Sequence, residues 1–248
     1  MAFSVESLTY RDVAKMIDHS LLRPELDDAF VEDGCRLALE YDVASVCVRP
    51  MDVVRAGTIL SDSDVAVGTV IGFPHGGNLT RTKVDEAHGA LTNGARELDM
   101  VIQIGALKSG RDADVQADIV AVVDVAHAAG AIVKVIFENA YLTDAEKVRA
   151  CHLTEAAGGD FVKTSTGFAP SGATHEDLAL MRRSVSPHIG VKAAGGVRTL
   201  DALLDVMALG VTRVGATATK TILDDFRARQ AGSGGVAAAL GAADGSYR

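Results

Sequence analysis

The chain has 248 residues, 33 of them acidic and 24 basic, for a formal net charge of −9. At 48% hydrophobic and 23% charged, its composition is that of an ordinary globular protein and excludes wholesale disorder. The acidic balance argues against nucleic acid or an anionic membrane as a partner, because each requires a basic face.

Short β-rich apolar runs recur at 16–22, 44–49, 65–73, 97–104, 131–138, 160–166, 189–194 and 212–217. Helical patterns follow most of them. After the first run, Val31, Cys35, Ala38 and Leu39 share one helical face, and after the fourth Ile119, Val122, Val123 and Ala126 do the same. After the fifth, Thr143 and Glu146 have the spacing of a capping box. Strands separated by helices imply parallel pairing through crossovers, and each step is about 30 residues, one βα unit. Eight such steps predict the α/β class and a (β/α)8 TIM barrel. The alternative, an open doubly wound sheet, would carry G-x-G-x-x-G after its first strand, and the sequence has none. Residues 1–230 read as a single barrel domain and 231–248 as a glycine-rich flexible tail.

No apolar run approaches the roughly 18 residues of a membrane helix. Glu6, Arg11 and Asp12 interrupt the stretch where a secretion signal would need continuous apolar residues. Cys35, Cys47 and Cys151 are odd in number and far apart, so neither a disulfide framework nor a CxxC metal pair is expected. A cytoplasmic location follows as the expectation. The seven histidines form no H-x-x-x-H pair, there is no G-x-S-x-G elbow, and Cys47 reads as a packing residue. Neither a metal nor a cofactor is expected.

The most informative feature is lysine inside strands. Lys134, Lys163 and Lys192 each sit in an apolar run, 29 residues apart, and read as one register of consecutive strands. Burying an ammonium is costly unless it is paired or used. Lysines snorkelling at the barrel rims are the plainer alternative. Asp99 lies in a similar apolar setting and is the matching acid, as either a structural ion-pair partner or a proton carrier. A lysine attacks a carbonyl only when neutral, and a neighbouring ammonium plus burial lowers its pKa. Such a centre performs iminium chemistry, with the acid moving protons. Gly195 and Gly196 after the seventh strand, and Gly215 in the eighth, fall where barrels hold phosphate, although plain turns also use glycine. Gly76 and Gly77 read as an ordinary loop.

The sequence resembles the deoxyribose-phosphate aldolase family from Ile17 to about Leu223. The resemblance rests on Ile17-Asp18-His19-Ser20-Leu21-Leu22, Gly72-Phe73-Pro74-His75-Gly76, Glu97-Leu98-Asp99-Met100-Val101-Ile102 and Gly105-Ala106-Leu107-Lys108. It continues through Lys134-Val135-Ile136, Phe161-Val162-Lys163-Thr164-Ser165-Thr166-Gly167-Phe168 and Val191-Lys192-Ala193-Ala194-Gly195-Gly196-Val197-Arg198. It implies a (β/α)8 barrel that reversibly cleaves 2-deoxyribose 5-phosphate to glyceraldehyde 3-phosphate and acetaldehyde. It further implies Lys163 as the Schiff-base lysine, Lys192 as the lysine that tunes it, Asp99 as the proton-relay acid and Lys134 as a supporting member. Thr164, Gly195, Gly196, Gly215 and Thr217 are the implied contacts to substrate and phosphate. The implied partners are the sugar phosphate and acetaldehyde, with a homodimer as the assembly considered.

Three positions depart from the family pattern. Gln103 stands where members often have asparagine, and Asn139 where threonine usually follows the strand-end glutamate. The last strand ends Gly215-Ala216-Thr217-Ala218-Thr219-Lys220, keeping one of two usual hydroxyls. That loss puts phosphate affinity in question, with Lys220 a candidate long-range charge to restore it. Two alternatives stay open: a Schiff-base aldolase for a different or unphosphorylated aldehyde, and a non-catalytic sugar-phosphate-binding barrel. In the tail, Tyr247 corresponds to a terminal tyrosine that, in some members of the family, reaches over the barrel mouth.

Overall fold

A computed structural model describes residues 5–232. The tail and Tyr247 therefore lie almost wholly outside the described residues. Eight parallel strands form one closed sheet in the order β1 to β8. They are β1 (Ile17–Leu21), β2 (Ser45–Val48), β3 (Ala66–Ile71), β4 (Glu97–Val101), β5 (Ile132–Ile136), β6 (Phe161–Lys163), β7 (Gly190–Ala194) and β8 (Arg213–Ala216). Each lies within one of the eight runs expected from sequence.

The helices are α1 (Tyr10–Ala14), which precedes β1, then α2 (Asp28–Glu40), α3 (Val53–Ile59), α4 (Thr80–Thr92) and α5 (Ile104–Lys108). They continue with α6 (Asp112–Ala128), α7 (Asp144–Ala156), α8 (His175–Arg183), α9 (Leu200–Ala208) and α10 (Thr219–Gln230). Val31, Cys35 and Ala38 of α2 are buried as expected, whereas Leu39 is 41% exposed. A residue next to Ala38 sits about 100° around the helix, and here that places it beyond the buried stripe. In α6, Ile119, Val122, Val123 and Ala126 are all buried. The Thr143–Glu146 capping box opens α7 with both reciprocal hydrogen bonds in place.

Strand residues alternate between two environments. On β4, Leu98 and Met100 face outward into the apolar layer between sheet and helices, while Glu97 and Asp99 face the barrel interior. Barrel interiors are usually filled by branched apolar side chains. Much of this one is filled by ionised groups, which concentrates its chemistry there.

A second buried ion pair anchors the end of β4. Lys83 of α4 and Asp118 of α6 are both fully buried, with Lys83 Nζ 2.5 Å from Asp118 Oδ2. Lys83 Nζ also donates to the carbonyl of Val101 at 2.8 Å, and Gln103 Nε2 donates to Asp118 Oδ1 at 3.1 Å. Gln103 is thus a brace between β4 and α6. Gly76 is required for packing: a Cβ there would lie 1.9 Å from the Ile102 carbonyl oxygen. Replacing Lys83 by methionine leaves Asp118 charged and unpaired, and should cost about 3–5 kcal/mol in urea unfolding. Adding Asp118→Leu should recover much of that loss, because the pair then leaves together.

Candidate active site

β1, β4, β5, β6, β7 and β8 each send a charged side chain into the barrel. Lys163 Nζ donates to Asp99 Oδ2 at 2.6 Å, and Lys192 Nζ to the same oxygen at 2.7 Å. Lys134 Nζ donates to Asp99 Oδ1 at 2.9 Å and to Glu97 Oε2 at 2.6 Å. Lys192 also donates to Asp18 Oδ2. Arg213 Nη1 reaches Asp18 Oδ1 at 2.6 Å and Glu97 Oε2 at 3.1 Å. Ser45 Oγ completes the shell of Asp18 at 2.6 Å.

The three lysines do not share one register. Lys163 pairs with Lys192, whereas Lys134 pairs with Phe161, two residues before Lys163. Equal sequence spacing therefore does not produce equal height, because the ladder offset between β5 and β6 is shorter than the spacing. Lys134 consequently lies one layer deeper, between Asp99 and Glu97. Asp18, Glu97 and Arg213 belong to the network although sequence reasoning gave them no role. A signal was available: Glu97 is two residues from Asp99 and so shares its face, and Arg213 is two residues from Gly215.

Charge balance separates the lysines. Three carboxylates (Asp18, Glu97, Asp99) face four bases (Lys134, Lys163, Lys192, Arg213). The buried cluster is neutral when one base gives up its proton. Burial disfavours the charged form of every lysine here, and the carboxylates decide which of them resist. For Lys134, burial is overcome by Asp18, Asp99 and Glu97, and its pKa is held well above the ordinary value. For Lys192, burial is overcome by Asp18 and Asp99, and its pKa is raised. Lys163 has Asp99 for support; burial prevails, Lys192 adds repulsion, and its pKa is lowered. Burial opposes ionisation of Asp99 too, yet Lys134, Lys163 and Lys192 keep its carboxyl well below the usual range. Cys47 faces the same interior, and burial pushes its thiol up to about 11. It is a protonated wall residue at neutral pH.

Lys163 lies at the base of a cleft of about 330 Å³ at the C-terminal end of the strands. Gly195, Gly196, Gly215 and Thr217 line that cleft, as do Arg23 and Arg198. Thr164 does not. It is fully buried, and its hydroxyl accepts from Ala194 N–H at 3.1 Å and lies 3.3 Å from the Ala194 carbonyl, tying β6 to β7. Gly195 has φ of +82°, and a Cβ on it would lie 2.9 Å from Gly172 Cα, so the turn and the close loop contact both demand glycine. Ala218 caps α10 without a side-chain hydrogen bond, whereas Thr219 is buried against His19 Nδ1 at 2.9 Å. Lys220 is committed elsewhere: its Nζ pairs with Asp224 at 2.7 Å and meets the Tyr41 hydroxyl at 3.0 Å. Asn139 is likewise tied to α8, through Asp177 at 3.2 Å.

Fold and site together define the class, a (β/α)8-barrel enzyme with a buried amine at its mouth. The family model for DeoC/LacD family aldolases matches residues 13–236. A deoxyribose-phosphate aldolase from Geobacillus sp. (strain WCH70) is 51% identical over 213 residues, covering 86% of this chain and 95% of the relative. One from Clostridium perfringens (strain SM101 / Type A) is 50% identical over 214 residues, covering 86% and 95%. The tetrameric deoxyribose phosphate aldolase structure from Aeropyrum pernix superposes with a TM-score of 0.82 at 29% identity, covering 89% of this chain and 93% of that one. The chain belongs to the DeoC/LacD family of aldolases.

Proposed function

We propose that the chain reversibly cleaves 2-deoxy-D-ribose 5-phosphate to D-glyceraldehyde 3-phosphate and acetaldehyde through a Schiff base on Lys163. The observation that carries the residue assignment is the position of Lys163: the one lysine of the three whose pKa is lowered, lining the cleft and 2.6 Å from Asp99. The neutral amine attacks the C1 aldehyde, and loss of water leaves an iminium. Removal of the C3 hydroxyl proton breaks the C2–C3 bond, releases glyceraldehyde 3-phosphate and leaves an enamine on the lysine. Protonation at C2 and hydrolysis then release acetaldehyde and restore the amine. Asp99, in contact with all three lysines, is the group placed to move these protons, through water where it cannot reach directly. The backbone N–H groups of Gly195, Gly196 and Gly215, with Thr217, Arg23 and Arg198 around them, suit a phosphate. That charge favours the phosphorylated sugar over an unphosphorylated aldehyde despite Ala218.

A retro-aldol assay on 2-deoxyribose 5-phosphate beside unphosphorylated 2-deoxyribose tests this reading, with acetaldehyde and borohydride added to trap the lysine. Cleavage of the phosphorylated sugar with preference over the other, and a trapped adduct, is the expected result. A homodimer and a cytoplasmic location belong to the same proposal. The Aeropyrum pernix relative is tetrameric, and among the described residues no helix is long and apolar enough to cross a membrane.

Lys192 supplies the sharpest pH test. Its removal leaves three bases facing three carboxylates, so the balance no longer asks Lys163 to be neutral, and its repulsion is lost as well. Lys163 should then hold its proton to higher pH. In Lys192→Leu the alkaline-going rise of kcat/KM should move to higher pH and lose height. A lower profile at unchanged pH would make Lys192 a proton donor or a positioner.

A further inference from the structure

β5 ends at Ile136, and two residues later Glu138 takes a left-handed backbone, φ 59° and ψ 66°. A residue with a Cβ seldom adopts this conformation unless its surroundings impose it. Among the described non-glycine residues only Asp42 also has positive φ, and aspartate tolerates that region better. Glycine would adopt the turn freely but would bring no carboxylate. Glu138 is 2% exposed, an unusual place for an acid.

Its carboxylate is directed at the loop that follows β6. Thr166 Oγ–H donates to Glu138 Oε2, and the Thr166 N–H lies 3.3 Å from both carboxylate oxygens. Thr166 Oγ in turn accepts from the Phe168 N–H at 3.0 Å. Residues 166–168 form part of the cleft wall that also contains Lys163. The Phe168 ring stands edge-on to Phe73 at 5.3 Å and beneath the Arg23 guanidinium at 5.0 Å. A chain of hydrogen bonds thus runs from a strained, buried acid to a wall that joins the loops after β1, β3 and β6. Burial pushes the Glu138 carboxyl upward, against the pull of Thr166 and of the Lys163 charge.

We infer that Glu138 is a positioning residue which, through Thr166, fixes the 166–168 turn and so sets the distance between the Lys163 amine and the end of the cleft that takes the substrate's phosphate. The assignment rests on the aldolase reading above. It predicts that loss of the carboxylate loosens recognition of the phosphorylated end while leaving imine formation intact.

The test measures kcat and KM for 2-deoxyribose 5-phosphate and for 2-deoxyribose in the unaltered enzyme, Glu138→Gly, Glu138→Gln, Thr166→Val and Glu138→Gly/Thr166→Val. Glu138→Gly keeps the backbone conformation without strain, and a thermal melt checks that it folds; if it does not, Glu138→Gln carries the comparison. The expected result is a rise in KM for the phosphorylated sugar and a roughly tenfold fall in the kcat/KM ratio between the two sugars. Borohydride trapping with acetaldehyde should stay at the unaltered level. Glu138→Gly should add little in the Thr166→Val background, since its partner is already gone. A ratio within about threefold of the unaltered enzyme, as a purely structural role would give, overturns the assignment. Cleavage of neither sugar by the unaltered enzyme overturns the aldolase reading and this assignment with it. An active enzyme with an unchanged ratio in the variants overturns the Glu138 assignment alone.

Discussion

Lys163→Ala and Lys163→Arg should both lose retro-aldol turnover by roughly 10⁴-fold or more, the scale on which removal of a covalent nucleophile acts. The two variants fail for different reasons. Alanine removes the nitrogen. Arginine keeps a cation near Asp99 but is never neutral at working pH and forms no iminium. Their joint failure separates a need for charge at this position from a need for an amine. Borohydride reduction in the presence of acetaldehyde should add mass to the peptide carrying Lys163 in the unaltered enzyme and to no peptide in either variant. An adduct on Lys134 or Lys192 would overturn the assignment. The structure gives a reason to expect neither: Lys134 is held by Glu97 and Asp99 and Lys192 by Asp18 and Asp99, which raises the pKa of each, whereas that of Lys163 is lowered.

The barrel was legible because each strand is a run of β-branched and other apolar residues, broken by helical periodicity and by turn residues. All but the seventh of the runs overshoot at their C-terminal ends. Residues 160–166 read as a strand, yet β6 stops at Lys163. Thr164 N–H still donates to the Lys192 carbonyl of β7, but its hydroxyl takes the Ala194 N–H and its carbonyl accepts from Asn139 N–H in the loop after β5, so the regular ladder ends there. Lys163, Lys192, Lys134 and Asp99 were legible because a charge inside an apolar strand is conspicuous. Asp18 and Arg213 were harder to see. Each is near the start of its strand, where a charge passes for a solvent-exposed edge, and only closure of the sheet between β1 and β8 brings them together. The depth of Lys134 was hidden for a related reason, since register depends on the stagger between strands and not on the number of residues between lysines. Thr164 shows the converse limit. A hydroxyl beside Lys163 invites a substrate role, but strand alternation turns it away from the barrel interior and into a bond with β7.

Asp99→Asn should separate two roles that the geometry merges in one carboxylate. Asp99 accepts from Lys134 through one oxygen and from Lys163 and Lys192 through the other. An amide of the same shape keeps one acceptor and offers a donor where an ammonium stood, so at least one cation loses a partner. The cluster is then left with Asp18 and Glu97 facing four bases, and Lys163 loses the anion that holds its proton. Its pKa should fall further, which makes the amine free at lower pH. Borohydride trapping of acetaldehyde should therefore begin at lower pH in Asp99→Asn than in the unaltered enzyme. Turnover should move the opposite way, falling by about 10²–10⁴-fold, because an amide cannot accept the C3 hydroxyl proton or return one at C2. Divergence of trapping from turnover is the signature of a proton carrier. A parallel loss of both would make Asp99 a structural counter-ion, and near-normal turnover would leave the protons to another group. The two variants that bracket Lys163 thus shift it in opposite directions, Lys192→Leu toward a later loss of its proton and Asp99→Asn toward an earlier one, as the count of charges around a single buried amine requires.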